Sequence, residues 1–232
     1  MLAVISVVIP TLNESRRLPE LLRCLSSSAA RFEVIVCDGG SSDDTVEIAE
    51  RFGATVVMSK TGRGTQLAAG AAVAQGDVLL FLHADSQLPS DALIRLDERL
   101  KQEPEIVGGN FRVQFDEASL FCKVVEALCA ILRRFGLYYG DSGIFVRREV
   151  YKAIGGFKDL EIMEDVDFVV RLEKQGKTCC IAEPPLRTSV RRFKRRSPLG
   201  LVILWLRMHI SYAMGVPNSQ LARIYASRST EV

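Results

Sequence analysis

At 232 residues, the chain holds one large domain or one domain with an extension, and 48% hydrophobic residues against 25% charged supply a sizeable core. A net charge of +2 excludes bulk electrostatic attraction to nucleic acid, although Arg191, Arg192, Lys194, Arg195 and Arg196 crowd one stretch. Six cysteines without a CxxC pair, several in apolar runs, exclude a zinc framework and read as reduced, buried thiols.

Residues 1–9 are apolar but lack the basic start and cleavage site of a signal peptide, so 4–9 reads as a buried first strand ended by Pro10. Leu18, Leu21, Leu22 and Leu25 have helical spacing, and 32–37 is a second buried strand. Asp43 or Asp44 can cap a helix that Gly53 closes. A third strand follows at 55–58, an Ala-rich helix at 65–74 and a fourth strand at 78–82. This alternation predicts a parallel sheet with right-handed crossovers, which binds ligands at the carboxyl ends of its strands. Beyond it, Pro89 opens a helix through Leu93, Leu96 and Leu100, and 108–115 alternates as a half-exposed strand. Residues 118–135 form a long helix, 143–147 a strand and 164–175 a helix. Residues 197–227 read as two helices broken at Gly215-Val216-Pro217, and the apolar run 198–206 is too short to span a bilayer.

The loops after the strands carry the chemistry. Pro10-Thr11-Leu12-Asn13-Glu14 lacks the GxGxxG of a dinucleotide site; Thr11, Asn13 and Glu14 can bond a base or ribose, or Asn13 or Ser15 simply caps a helix. In Cys37-Asp38-Gly39-Gly40-Ser41-Ser42-Asp43-Asp44-Thr45, Asp38 can accept bonds from a nucleoside, and the glycines allow close backbone approach; a tight turn uses the same residues. Lys60-Thr61-Gly62-Arg63-Gly64-Thr65-Gln66 is no Walker loop, but Arg63 can fork onto phosphate oxygens, or the loop is a solvated basic turn. Asp85 of His83-Ala84-Asp85 is a hard oxygen ligand suited to Mg²⁺ or Mn²⁺, or a cap. In Met163-Glu164-Asp165-Val166-Asp167, three carboxylates suit a helix start, and their repulsion can make one a proton acceptor. His209, on the apolar C-terminal helix, is an additional candidate metal contact.

Together these segments, with Gly155-Gly156-Phe157, resemble the family 2 glycosyltransferases of GT-A fold. Gly140-Asp141-Ser142-Gly143-Ile144-Phe145-Val146-Arg147-Arg148 and Thr188-Ser189-Val190-Arg191-Arg192-Phe193 resemble the subgroup labelled rSAM/selenodomain-associated transferases. The resemblance implies an α/β, Rossmann-like, mixed but mostly parallel sheet flanked by helices over 1–196, and a helical extension over 197–232 packed on the domain, a partner subunit or a membrane. It implies an inverting, metal-dependent transferase that moves a sugar from a nucleotide-diphosphate sugar, of the UDP class, to a hydroxyl acceptor. Asp165 would be the general base with Glu164 beside it. Pro10, Thr11, Asn13, Glu14, Asp38, Gly39, Arg63, Gln66, His83, Ala84 and Asp85 would form the nucleotide-sugar side. Thr11, Glu14 and Asp38 among them would hold uracil and ribose, and Asp85 the metal. Asp141, Ser142, Arg191 and Arg192 would face the acceptor.

Two departures stand out. The first carboxylate of the family's DxD is His83 here, which opens the alternative of a non-catalytic nucleotide-sugar binder or partner subunit. No QxxRW follows the base, which argues against a processive synthase. A sugar nucleotidyltransferase would need a Gly-rich loop after the first strand, and none is there. A cytoplasmic protein is expected, peripheral to the inner face of the membrane if the basic cluster meets anionic lipid, with a homodimer as another use of the apolar C-terminal helix.

Overall fold

The computed structural model describes residues 4–189 and 198–227. The first half runs β1 (Ile5–Thr11), α1 (Leu18–Ser26), β2 (Phe32–Asp38), α2 (Thr45–Arg51), β3 (Thr55–Met58), α3 (Arg63–Val73), β4 (Val78–Phe81) and α4 (Ala92–Gln102). Then come β5 (Ile106–Phe115), α5 (Leu120–Arg134), a 3-10 turn (Gly140–Ser142), β6 (Ile144–Arg147), α6 (Arg148–Ala153), α7 (Glu164–Glu173), β7 (Lys177–Thr188), α8 (Pro198–Ala213) and α9 (Asn218–Ser227).

The seven strands make one sheet in the order β3-β2-β1-β4-β6-β5-β7. The first four are mutually parallel, β6 is antiparallel to β4 and β5, and β5 and β7 are parallel. Alternate side chains of each strand serve opposite faces. Ile5, Val7 and Ile9 join Leu18, Leu21 and Leu25 of α1 and Leu93 and Leu96 of α4 on one face. Val8, Ile35 and Leu79 join Leu67 of α3 and Phe168 and Leu172 of α7 on the other. Burial on both faces is why β1, β2 and β4 read as near-continuous apolar runs, interrupted only by Ser6 and Glu33 before their last residues.

The structure departs from the sequence expectations at several elements: α4 begins at Ala92 and not at Pro89, and α6 had no expected counterpart. Helix α3 begins at Arg63, two residues before the expected start, because Gly62 takes φ 145° and turns the chain into the helix there. Strand β7 had no sequence signal: Glu183, Pro184 and Pro185 interrupt its alternation at a register shift opposite β5, and an edge strand tolerates proline. The reading of buried thiols needs correcting: Cys180 is exposed, because pleating turns Cys179 inward and Cys180 outward on that edge. Among the described residues, no helix is long and apolar enough to cross a membrane.

Candidate active site

Thr11 and Asp38 are register partners at the carboxyl ends of β1 and β2. Asp38 is fully buried, and its carboxylate accepts from Thr11 Oγ1 (3.0 Å), Gly40 N (2.9 Å), Ser41 N (2.7 Å) and Ser41 Oγ (2.5 Å). Burial opposes its charge, but these bonds outweigh it and hold the carboxyl below its usual range. Buried Gln66 reaches from α3 and donates to the carbonyls of Thr11 and Cys37, both at 2.7 Å. A Cβ on Gly39 would crowd Gln66, lying 3.1 Å from its Nε2. Asn13, at φ 55°, accepts from Ser42 N at 2.8 Å; Glu14 pairs with Arg17 at 3.0 Å. The side chains of Thr11, Asp38 and Gln66 thus staple two loops into a ledge, with Pro10 half-buried in it, and none of these residues lines the main cleft.

That cleft, of about 570 Å³, opens beside the carboxyl end of β4 and is lined by Arg63, His83, Asp85, Asp141, Glu164 and Asp165 on its polar side. The Asp85 carboxylate makes no hydrogen bond or ion pair to another described residue. Ala84 is buried beside it. Asp165 is anchored through both oxygens: Gly140 N donates to Oδ2 and Val166 N to Oδ1, each at 2.8 Å. The 3-10 turn therefore aims the carboxylate. A Cβ on Gly140 would sit 3.0 Å from His83 Nε2 and 3.4 Å from Asp165 Oδ2, so the loop after β4 and the start of α7 meet at this glycine.

Glu164 behaves differently. It is buried and accepts from Arg63 at 3.1 Å. Burial raises its pKa first and the neighbouring Asp165 second, against the opposing pull of Arg63. The third carboxylate, Asp167, is structural: it accepts from Lys158 (2.8 Å), Arg171 (2.6 and 2.8 Å) and Tyr212 (2.9 Å). Ser142 is buried and donates to the Tyr139 carbonyl at 2.5 Å, away from the cleft. Arg191 and Arg192 lie outside the described residues.

The far wall was not legible in the sequence. It consists of Tyr139, Met163, Trp205, Met208 and Tyr225, mostly from the α8–α9 hairpin. Tyr139 stacks on Trp205 with ring centroids 5.4 Å apart. His209 Nδ1 lies 2.8 Å from the Trp205 carbonyl, which can only accept, so Nδ1 carries a proton, and Nε2 lies 3.4 Å from the Tyr139 hydroxyl. The hairpin is fastened by Leu204, Met208 and Leu221 packing on Met163 and Val166. Asn218 adds a two-point bond, accepting from Ile162 N (3.2 Å) and donating to Ile162 O (2.6 Å). Among the described residues, no cluster of three His, Cys, Asp or Glu could hold a metal unaided.

A mixed, mostly parallel seven-stranded sheet flanked by helices is the GT-A fold. The profile of glycosyl transferase family 2 matches residues 6–151, and the chain belongs to this family. It is 35% identical over 155 residues to the undecaprenyl-phosphate 4-deoxy-4-formamido-L-arabinose transferase of Pseudomonas syringae, covering 62% of this chain and 46% of that one. The chain therefore spans about half the length of such relatives. The fold superposes on Staphylococcus aureus TarS with a TM-score of 0.65 at 16% identity, covering 96% of this chain and 42% of TarS. It superposes on glucosyl-3-phosphoglycerate synthase of Mycobacterium tuberculosis, in complex with Mn²⁺, UDP and glucosyl-3-phosphoglycerate, with a TM-score of 0.60 at 22% identity, covering 94% and 82%.

Proposed function

We propose that this chain transfers a sugar, with inversion, from a UDP-class nucleotide sugar to a hydroxyl acceptor, with Asp165 as general base. The observation that carries the reading is the shared cleft of Arg63, Asp85 and Asp165 beside the ends of the parallel strands. The nucleoside lies along the ledge of Pro10, Thr11, Asn13, Glu14, Asp38 and Gly39, where Thr11 and Asp38 shape the loops and exposed Asn13 offers polar contacts. Arg63 leans on the phosphates while pairing with Glu164. Asp165, held by Gly140 N and Val166 N, keeps lone pairs free to take the acceptor proton as its oxygen attacks the anomeric carbon. Asp141 and the aromatic wall orient the acceptor.

The donor set fits a divalent cation held mainly by the diphosphate. Asp85 has a carboxylate with no partner among the described residues, and His83 and His209 bring imidazoles to the same cleft. The hard carboxylate and diphosphate oxygens suit Mn²⁺ or Mg²⁺. When bound, the cation supplies charge neutralisation for the leaving nucleoside diphosphate. The relatives support the class of ligand: TarS has been crystallised with UDP-GlcNAc, and the mycobacterial synthase with UDP and Mn²⁺.

A thermal-shift panel of UDP, GDP and their sugars, with and without Mn²⁺, tests this. UDP with Mn²⁺ is expected to raise Tm most. Asp85→Ala is expected to keep the unliganded Tm, since Asp85 bonds no described residue, and to lose the Mn²⁺-dependent increment. An increment unchanged in Asp85→Ala would refute the metal assignment. The lost first carboxylate of the DxD favours one rival, a non-catalytic nucleotide-sugar binder, which predicts the same shifts with no turnover under any metal.

A further inference from the structure

Seven large hydrophobic side chains among the described residues are more than half exposed, and six of them sit on two adjoining helices or just past their ends. Leu120, Ile131 and Phe135 belong to α5 and its cap, Leu206, Ile210 and Met214 to α8 and the residue after it. The helices abut, because Trp205 of α8 packs against the cluster that holds Cys122 and Val125 of α5. The spacing puts each set on one helical stripe. Other exposed hydrophobics among the described residues, such as Met58 and Val73, lie on other elements, so this clustering on two adjoining helices marks a contact surface. Helix α8 is apolar nearly all round, and one side of it already packs on the domain.

Charge identifies the partner. Residues 184–230 contain nine Arg or Lys and no Asp or Glu, so the rest of the chain is net −7 against an overall +2. At the stripe itself Lys123, Arg134 and Arg207 are exposed and make no ion pair with a described residue. The one carboxylate of α5, Glu126, is half-buried and accepts from Phe115 N at 2.7 Å, so it turns toward β5 and leaves the exposed charges of the helix itself cationic, with Asp116 and Glu117 confined to the turn before it. We infer that the α5–α8 face seats on an anionic lipid surface, with the apolar stripe at the acyl boundary and the cations among the headgroups. A second copy of this chain would bring two cationic, carboxylate-free stretches together. A nucleic acid would use the cations but leave the apolar stripe in water. An anionic bilayer satisfies both features. Trp205 and His209 of the same α8 line the cleft. Given the transferase reading, the acceptor hydroxyl is then one presented at a membrane surface.

Flotation of the full chain with vesicles tests the docking. Phosphatidylcholine vesicles with about one third phosphatidylglycerol should carry the protein up the gradient, and pure phosphatidylcholine should not. Leu206→Glu and Arg207→Glu, both changes at exposed positions, should each lower the bound fraction about tenfold, as should high salt, while UDP binding stays intact. Failure to float with anionic vesicles would overturn the inference. So would a dimer in light scattering that Leu206→Glu dissociates, or retention of RNA that Leu206→Glu leaves unchanged. UDP binding without flotation would remove the docking and leave the transferase reading; flotation without UDP binding would do the reverse.

Discussion

Glu164 turns into the protein to meet Arg63, while its neighbour Asp165 faces the cleft with both oxygens held by backbone amides. The raised pKa of Glu164 has a consequence for stability. Its folded-state value lies above the ordinary glutamate value of about 4.3, so folding favours the protonated form. The contribution is therefore complete below the unfolded pKa and is lost as pH rises through the folded one. Thermal unfolding over a pH series is expected to show wild type losing Tm across that window, and Glu164→Gln losing less. Parallel curves would show that burial of this carboxyl has no such effect. Residue identities at the ledge were legible in the sequence, but their roles were only partly so. Whether the lone pairs of Asp38 go to a ligand or to Thr11, Gly40 and Ser41 depends on loop closure, which spacing does not encode. The same holds for the Gln66 amide.

Among the elements, β1 to β4 were legible because each is a buried apolar run bounded by turn residues and followed by a helix. The role of the α8–α9 hairpin was not, since a helix apolar on most sides carries no signal of which face packs where. Its effect is concentrated just before Asp165. Met163 adopts φ 64°, a left-handed conformation that costs a long side chain about 1–3 kcal/mol. The strain is offset by burial of Met163 against Leu204, Met208 and Leu221, and by the Asn218–Ile162 bonds. Asn218→Ala removes both bonds and should cost roughly 1–3 kcal/mol in denaturant unfolding. Because the released segment carries Asp165, turnover should fall while UDP affinity, set across the cleft, stays near wild type. Wild-type turnover in a variant destabilised by that amount would separate the hairpin from catalysis.

At the scale of the whole molecule, the parallel half of the sheet supplies the ledge, and the mixed half supplies the turn that aims Asp165 and the helix that carries it. Sequence reasoning located the two halves because the period of hydrophobicity changes between them. It could not bring Tyr139, Trp205 and Tyr225 together, as these residues are 66 and 20 positions apart and join only when the hairpin folds back onto α7. The polarised charge of residues 184–230 is likewise visible only when sequence counts are set beside the exposed stripe of α5 and α8. On the proposed reading, the molecule has one end for the nucleotide and one for a surface, with Asp165 between them. UDP release from a panel of UDP-sugars with Mn²⁺ and a membrane lipid extract, compared between wild type and Asp165→Asn, tests this centre most directly. The expected result is a loss of about 10²–10⁴-fold in kcat with UDP affinity retained; turnover of Asp165→Asn at the wild-type rate would contradict it.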